Sequence, residues 1–96
     1  MMTIIWTQAA IDDISENVAY LEKKWTKKEV ASFLKKVHNV LEKLSEGNIL
    51  FKPTEYKNIF QIVIVKQVTL FYEIEGEELY LLRFWNNYQD PEQLSF

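Results

Sequence analysis

The chain has 96 residues, 48% hydrophobic and 26% charged, which is typical of a single globular domain spanning residues 1–96. Cysteine is absent, so neither disulfides nor cysteine-ligated zinc can support the fold. A net charge of -3 with one arginine, Arg83, disfavours binding of bulk nucleic acid, which needs positive charge and favours the bidentate guanidinium.

The first half of the chain predicts a short strand followed by two helices. Residues 2–6 are β-favouring, and Thr7 can then cap a helix. Apolar side chains at gaps of three and four give that helix one stripe, formed by Ile11, Ile14, Val18, Leu21 and Trp25. A capping box of Thr26 and Glu29 begins a second helix, which Gly47 ends. The apolar face of the second helix is Val30, Phe33, Leu34, Val37, Val40, Leu41 and Leu44.

The second half of the chain changes to patterns typical of strands. Residues 48–57 form a connector that contains Pro53. Three runs rich in β-branched and aromatic side chains then predict strands at residues 59–65, 68–75 and 78–85. Gly76 lies in the tight link between the last two runs, and links this short predict an antiparallel meander. Residues 86–96 form a tail.

The order strand-helix-helix-strand-strand-strand predicts an α+β fold, in which an antiparallel helical hairpin covers one face of a small antiparallel sheet. The core face of the middle meander strand is expected to carry Val68, Leu70, Tyr72 and Ile74. In the last strand, Tyr80, Leu82 and Phe84 alternate with Leu79, Leu81, Arg83 and Trp85. We expect the face with Arg83 and Trp85 to be open, because arginine is rarely buried without a partner.

Few polar residues indicate catalysis. The sequence contains no nucleophile elbow or phosphate-binding loop, and no metal or cofactor site is predicted. The single histidine, His38, lies at the margin of an apolar stripe, as boundary and surface histidines do. Four lysines meet between the two helices and are interpreted as a solvated face: Lys23, Lys24, Lys27 and Lys28. With no signal peptide or membrane-spanning run, we expect a cytoplasmic protein without a membrane partner.

The end of the last strand and the start of the tail have an unusual composition. Residues 83–91 combine the only arginine with large aromatic side chains and three side-chain amides. Arginine, tryptophan and tyrosine are the residue types that anchor protein interfaces. We place Phe84 in the core, and leave open whether Trp85 completes the core or faces a partner.

Three segments carry a resemblance to a known family. Residues 4–10 (IIWTQAA), with Asp12-Asp13-Ile14 after them, are similar to its first strand and helix. Residues 66–74 (KQVTLFYEI) are similar to its central hairpin, and residues 81–91 (LLRFWNNYQDP) to its last strand and tail. With this order of elements and this length, the chain resembles the RelE/ParE superfamily of bacterial type II toxin-antitoxin toxins.

The resemblance implies a growth-inhibiting toxin, associated with plasmid stabilisation and held silent by a cognate antitoxin. In this family the C-terminal segment of the antitoxin wraps the toxin, and operator DNA is contacted only through the antitoxin. The targets divide into two classes. RelE-like members cut mRNA on the ribosome, and ParE-like members poison DNA gyrase.

The same resemblance bears on which target this chain has. RelE-like nucleases carry basic residues at places that match Phe60, Thr69, and Asn87 or Tyr88 in this sequence. Because cations stabilise the charged transition state of RNA cleavage, we favour the gyrase-directed, non-nuclease branch. Its candidate target-binding residues are Arg83, Trp85, Asn87 and Tyr88.

Two alternatives stay open beside that interpretation. If the chain is a RelE-like ribosome-dependent endoribonuclease, Tyr88 and Arg83 are its candidate catalytic residues. A degenerate toxin that only binds its antitoxin would also lack the basic residues. Enzymatic activity is therefore undecided from the sequence.

Overall fold

The computed structural model describes residues 1–47 and 52–96. Within them, two helices and five strands follow the predicted order with one short strand added. The elements are β1 (Thr3–Trp6), α1 (Gln8–Lys24), α2 (Lys27–Glu46), β2 (Lys52–Pro53), β3 (Ile59–Val65), β4 (Val68–Glu75) and β5 (Glu78–Asn86), followed by a 3-10 helix (Pro91–Gln93). Residues 48–51 of the predicted connector lie outside the described residues. Neither helix in the described part of the chain is long and apolar enough to cross a membrane.

The five strands form one sheet in the order β1-β5-β4-β3-β2. The antiparallel meander of β3, β4 and β5 is confirmed, and Gly76 makes its tight turn with a φ of 60°. β1 pairs in parallel with β5, placing Thr3 opposite Glu78, so the whole sheet is mixed. Lys52 and Pro53 pair with β3 instead of belonging to a plain connector, and proline is tolerated because β2 is an edge strand.

The predicted helix caps are confirmed. The Thr7 hydroxyl accepts a hydrogen bond from the Ala10 N–H at 3.2 Å. Thr26 and Glu29 make both bonds of the capping box, and Gly47 ends α2 in the left-handed conformation with a φ of 79°. The two helices contact each other and pack on the same side of the sheet, α1 against β5 and α2 against β3. The helical hairpin therefore forms one layer and the sheet forms the other.

The buried face of each helix departs from the predicted stripe. In α1, Ile11 is 41% exposed, whereas Asp13 and Asn17 are buried. The rest of the α1 stripe packs in or against the core, as predicted: Ile14, Val18, Leu21 and Trp25. In α2, Leu34 is 43% exposed and lines a surface groove instead of the core. Helical spacing therefore predicted the buried stripe of each helix to within one position. The contacts of α1 with β5 set the rotation of α1 about its axis.

A β-bulge in β5 decides which of its side chains face the helices. The pairing with β4 shifts between Leu81 and Arg83, which leaves Leu82 as an extra residue. As a result Leu79, Leu81 and Phe84 all lie in the core. The expectation that Leu79 and Leu81 share a face with Arg83 is wrong, because the bulge switches the alternation between them.

The core face of β4 carries Val68, Leu70, Tyr72 and Ile74, as predicted. Tyr72 is fully buried, and its hydroxyl has no hydrogen-bond partner in the described part of the chain. Burial raises the pKa of the Tyr72 hydroxyl from 10.0 to about 12, because the phenolate would lose its hydration. The core therefore contains a hydroxyl that makes no hydrogen bond with the described part of the chain.

We expect Tyr72→Phe to leave the free energy of unfolding unchanged, or to raise it by about 1 kcal/mol, at neutral pH. The ring stays in place and an unpaired hydroxyl is removed. In the wild type, the unfolded chain ionises near pH 10.0 and the folded chain near 12, so stability falls as pH rises between these values, by about 1.4 kcal/mol per pH unit. The variant should lack this part of the alkaline loss. Denaturant unfolding of both proteins at neutral and alkaline pH measures this difference in stability. If Tyr72→Phe lowered the free energy of unfolding at neutral pH by well above about 1 kcal/mol, the Tyr72 hydroxyl would have to be hydrogen-bonded.

Candidate functional site

The sheet face turned away from the helices carries Thr69, Phe71, Arg83 and Trp85, and we call it the outer face. Thr69, Phe71 and Trp85 are only 6%, 8% and 7% exposed, yet they lie outside the core beneath the helices. The prediction that this face is open is therefore wrong. Within the described residues, the C-terminal tail lies against Phe71 and Arg83, and the Arg83 guanidinium lies over Trp85.

The tail returns over the outer face after the 3-10 helix. The backbone carbonyl of Ser95 accepts a hydrogen bond from Nη1 of Arg83 at 3.1 Å. The Phe96 ring lies 5.2 Å from the ring of Phe71 and 5.3 Å from that of Tyr56, measured between centroids. These distances are typical of aromatic contacts. The tail thus shields both an aromatic cluster and the guanidinium.

Arg83 is held by Asp13 of α1 in a bidentate ion pair. Nε lies 2.6 Å from Oδ2 and Nη2 lies 3.0 Å from Oδ1. The hydrogen bond that the Arg83 guanidinium donates to Asp13 raises the pKa of Arg83 above its usual range, and burial opposes this. The guanidinium carbon also lies 5.4 Å from the centre of the Trp85 ring, a cation–π contact. With the Ser95 carbonyl on Nη1, all three guanidinium nitrogens have partners.

Asp13 and Asn17 also replace a missing strand at the edge of β5. β1 ends at Trp6, opposite Leu81, and beyond that point α1 lies beside β5. The Phe84 N–H donates to Oδ2 of Asp13 at 3.0 Å, and Nδ2 of Asn17 donates to the Phe84 carbonyl at 3.0 Å. The two side chains thereby satisfy backbone groups that would otherwise be buried without partners. Sequence reasoning missed this pair, although polar residues four apart on one side of a helix were a usable signal.

Asn87 and Tyr88 differ sharply in their surroundings. Asn87 fastens the start of the tail to the β3–β4 turn. Its Oδ1 accepts from the Thr69 hydroxyl at 2.9 Å, and its Nδ2 donates to the Lys66 carbonyl at 3.0 Å. Tyr88 is 69% exposed. Of the four predicted target-binding residues, Arg83 and Trp85 are therefore engaged within the fold, Asn87 is anchored, and Tyr88 is presented to solvent.

The positions matched to nuclease cations do not converge. Phe60 lies opposite Tyr72 and packs against the core, with 5.9 Å between the two ring centres. Thr69 lies on the outer face, where it bonds to Asn87. Side chains at these two positions point to opposite sides of the sheet, so they could not meet at one phosphate.

Two helices layered on a five-stranded mixed sheet form an α+β fold similar to that of ParE and RelE toxins. The family described as the ParE toxin of type II toxin-antitoxin system, parDE, matches residues 4–91. The chain therefore belongs to the ParE toxin family of type II toxin-antitoxin systems, within the RelE/ParE superfamily. This confirms the resemblance drawn from the sequence. A comparison with curated protein sequences gives no match.

Solved structures share the fold at low sequence identity. A chain of the chromosomal ParDE TA system from P. aeruginosa has a TM-score of 0.74 and 15% identity, covering 90% of this chain and 96% of that one. The YoeB/ParE toxin from Agrobacterium tumefaciens has a TM-score of 0.66 and 14% identity, covering 91% and 100%. A chain of the E. coli DinJ-YafQ complex has a TM-score of 0.64 and 13% identity, covering 90% and 93%. At these identities the likeness shows the fold, and ParE, YoeB and YafQ chains all have it.

Proposed function

We propose that this toxin inhibits growth by binding DNA gyrase and does not cleave RNA. The observation that carries the proposal is the state of Arg83, the only arginine in the chain. Asp13 engages its Nε and Nη2, and the Ser95 carbonyl engages its Nη1. Three of its five guanidinium N–H groups are engaged within the fold, so Arg83 supports the structure of a surface and is poorly placed to stabilise a reacting phosphate.

Cleavage of an RNA chain would require more positive charge than this region supplies. Stabilising a charged phosphorane-like transition state needs donors or cations aimed at the reacting phosphate. Phe60 and Thr69 are uncharged and face opposite sides of the sheet. The net charge of -3 also disfavours docking on ribosomal RNA. These features together favour a protein target.

The proposed contact with gyrase centres on Tyr88. It is 69% exposed, and its position is fixed because its N–H donates to Oδ1 of Asn86 at 2.9 Å. Asn87 beside it is anchored to the β3–β4 turn. Exposed aromatic side chains on a rigid backbone are efficient interface anchors.

We also propose a cognate antitoxin as the cellular partner, because the chain belongs to a family of type II toxin-antitoxin toxins. The DinJ-YafQ structure, whose fold this chain shares, was solved as a complex. Any contact with operator DNA would then run through the antitoxin, since this acidic chain is a poor DNA ligand.

A supercoiling assay with gyrase from the source organism tests the proposal. The wild-type chain should inhibit supercoiling, and Tyr88→Ala should need about 30-fold more protein for the same effect, the loss of an interface anchor worth about 2 kcal/mol. Tyr20→Ala is the matched control, because Tyr20 is also an exposed tyrosine but lies on α1. It should inhibit like the wild type. Absence of inhibition by a folded wild-type chain would contradict the proposal. Cut message on translating ribosomes would then support the nuclease, and intact message the degenerate toxin.

A further inference from the structure

A cavity of about 210 Å³ lies between α1 and the end of β5. Buried residues form its floor, because Asn17 and Phe84 are only 7% and 1% exposed. Exposed side chains form its rim: Glu16 and Tyr20 from α1, and Gln89 from the segment after β5. A cavity of this size can take one long side chain, and it is too small for a helix with its side chains.

The side chain of Asn17 presents a fixed acceptor to this cavity. Its Nδ2 donates to the Asp13 carbonyl at 2.9 Å and to the Phe84 carbonyl at 3.0 Å. Both acceptors are carbonyl oxygens, so the orientation of the amide is fixed. Oδ1 of Asn17 accepts no hydrogen bond from the described residues, and it is not among their fully enclosed polar atoms. It therefore reaches the cavity that Asn17 lines, as an acceptor without a donor.

The charges around the cavity favour a cation. The carboxylate of Glu16 makes no ion pair or hydrogen bond with the described residues. Asp13, the other acidic residue on the cavity, is already paired with Arg83. None of the described residues that line the cavity is basic. A ligand group with positive charge and several N–H donors would therefore satisfy both Glu16 and the free oxygen of Asn17.

We propose that this cavity binds the guanidinium group of an arginine side chain from a protein partner. A guanidinium is planar and carries five N–H donors, so it can donate to Oδ1 of Asn17 and to the Glu16 carboxylate together. Its face can also stack on the Tyr20 ring in a cation–π contact. A lysine ammonium is a compact, strongly hydrated charge and gains less from acceptors spread around a cavity. A free amino acid is disfavoured, because no basic residue among those lining the cavity would hold its carboxylate.

The inference deepens the proposed antitoxin partnership, on which it rests for the identity of the partner. Asn86 and Gln89 both line the cavity, and the Gln89 N–H donates to the Asn86 carbonyl at 3.0 Å. Tyr88 lies between these two residues in the chain. A protein held by an arginine in the cavity would therefore lie beside Tyr88 and hinder its contact with gyrase. The cavity itself involves no gyrase, so either proposal can fail without the other.

The test is an NMR titration of the full chain with N-acetyl-arginine N-methylamide, followed at the side-chain amide signals of Asn17 and Gln89. Both signals should shift at millimolar concentrations of this probe. The citrulline derivative has nearly the same shape without the charge, and it should bind at least about tenfold more weakly because the charge-assisted hydrogen bonds are lost.

Two variants of exposed carboxylates on α1 test the part played by Glu16. Glu16→Gln should bind the arginine probe about fivefold more weakly, the upper range for one exposed charge pair. Glu22→Gln is the matched control, because Glu22 is also exposed on α1 but does not line the cavity. It should bind the probe like the wild type. Since both side chains are exposed, both variants should fold.

Several results would overturn the site. Unshifted Asn17 and Gln89 signals would show that the cavity does not bind a guanidinium. Equal affinity for the citrulline derivative would show that charge is not recognised, and equal affinity for the lysine derivative would show that a guanidinium is not preferred. Equal affinities of Glu16→Gln and Glu22→Gln would show that the Glu16 carboxylate takes no part. Tighter binding of free arginine than of the blocked probe would make the cavity a small-molecule site and not a site for a protein side chain.

Discussion

Asp13→Ala should lower the free energy of unfolding by about 3–5 kcal/mol, the range for breaking a buried ion pair by removing one partner. The carboxylate accepts from two guanidinium nitrogens of Arg83 and from the Phe84 backbone N–H. The Arg83 and Asp13 side chains are only 20% and 12% exposed, so water can replace little of what is lost. The substitution leaves the Nε and Nη2 donors of Arg83 and the Phe84 N–H without their acceptor at the edge of β5.

Two matched variants separate the loss of the Asp13 contacts from the general effect of changing a carboxylate on α1. Asp12→Ala removes the neighbouring, exposed carboxylate and should change stability by less than about 0.5 kcal/mol. Asp13→Asn keeps one acceptor oxygen and should cost about 1–3 kcal/mol. Urea unfolding of Asp13→Ala, Asp13→Asn and Asp12→Ala measures the order of their stabilities. Equal stability of Asp13→Ala and Asp12→Ala would show that the ion pair and the edge cap do not support the fold.

Phe33→Ala should cost about 3–5 kcal/mol, because it leaves a large cavity where α2 meets the sheet. Phe33 is 1% exposed and is among the largest fully buried side chains. The free energy lost combines the transfer of the ring from water and the contacts that its neighbours no longer make. The melting temperature and the urea midpoint should both fall.

Leu34→Ala is the control on the next residue of the same helix. Leu34 is 43% exposed, so its truncation should cost less than about 1 kcal/mol. The pair of variants tests the rotation of α2 about its axis, since the sequence pattern placed both residues in the apolar face. A larger loss for Leu34→Ala than for Phe33→Ala would contradict that rotation.

Local patterns were sufficient to predict most of the fold. The capping box of Thr26 and Glu29, the terminal Gly47 and the turn at Gly76 act within a few residues, so their signals can be read from neighbouring positions. Strand positions in the meander follow from β-branched runs with short links. The order of elements then led to the family.

Features set by distant contacts could not be predicted in the same way. The bulge at Leu82 depends on the pairing of β5 with β4, and the rotation of α1 depends on the free edge of β5. The expectation that the face of Arg83 is open rested on the rule that buried arginine needs a partner. The rule held, but the partner was Asp13, 70 residues away in sequence.

In the candidate site, too, local composition gave a usable signal, and contacts between distant residues could not be predicted. Composition alone drew attention to residues 83–91, because arginine, aromatics and amides are concentrated there. Composition could not separate the buried Trp85 from the exposed Tyr88, since only the folded chain places the Arg83 guanidinium over Trp85. The tail contacts join Phe96 to Phe71 and Tyr56, which no local pattern connects.

The central claim is tested most directly by inducing the wild-type chain in cells that lack the antitoxin. Plasmid supercoiling and the integrity of translated message are followed in the same culture. The account predicts that growth stops, negative supercoiling falls and DNA-damage signalling rises while the message stays intact. Message cut on the ribosome with unchanged supercoiling would contradict it, and would mean that the toxin cleaves RNA with Arg83 already engaged by Asp13.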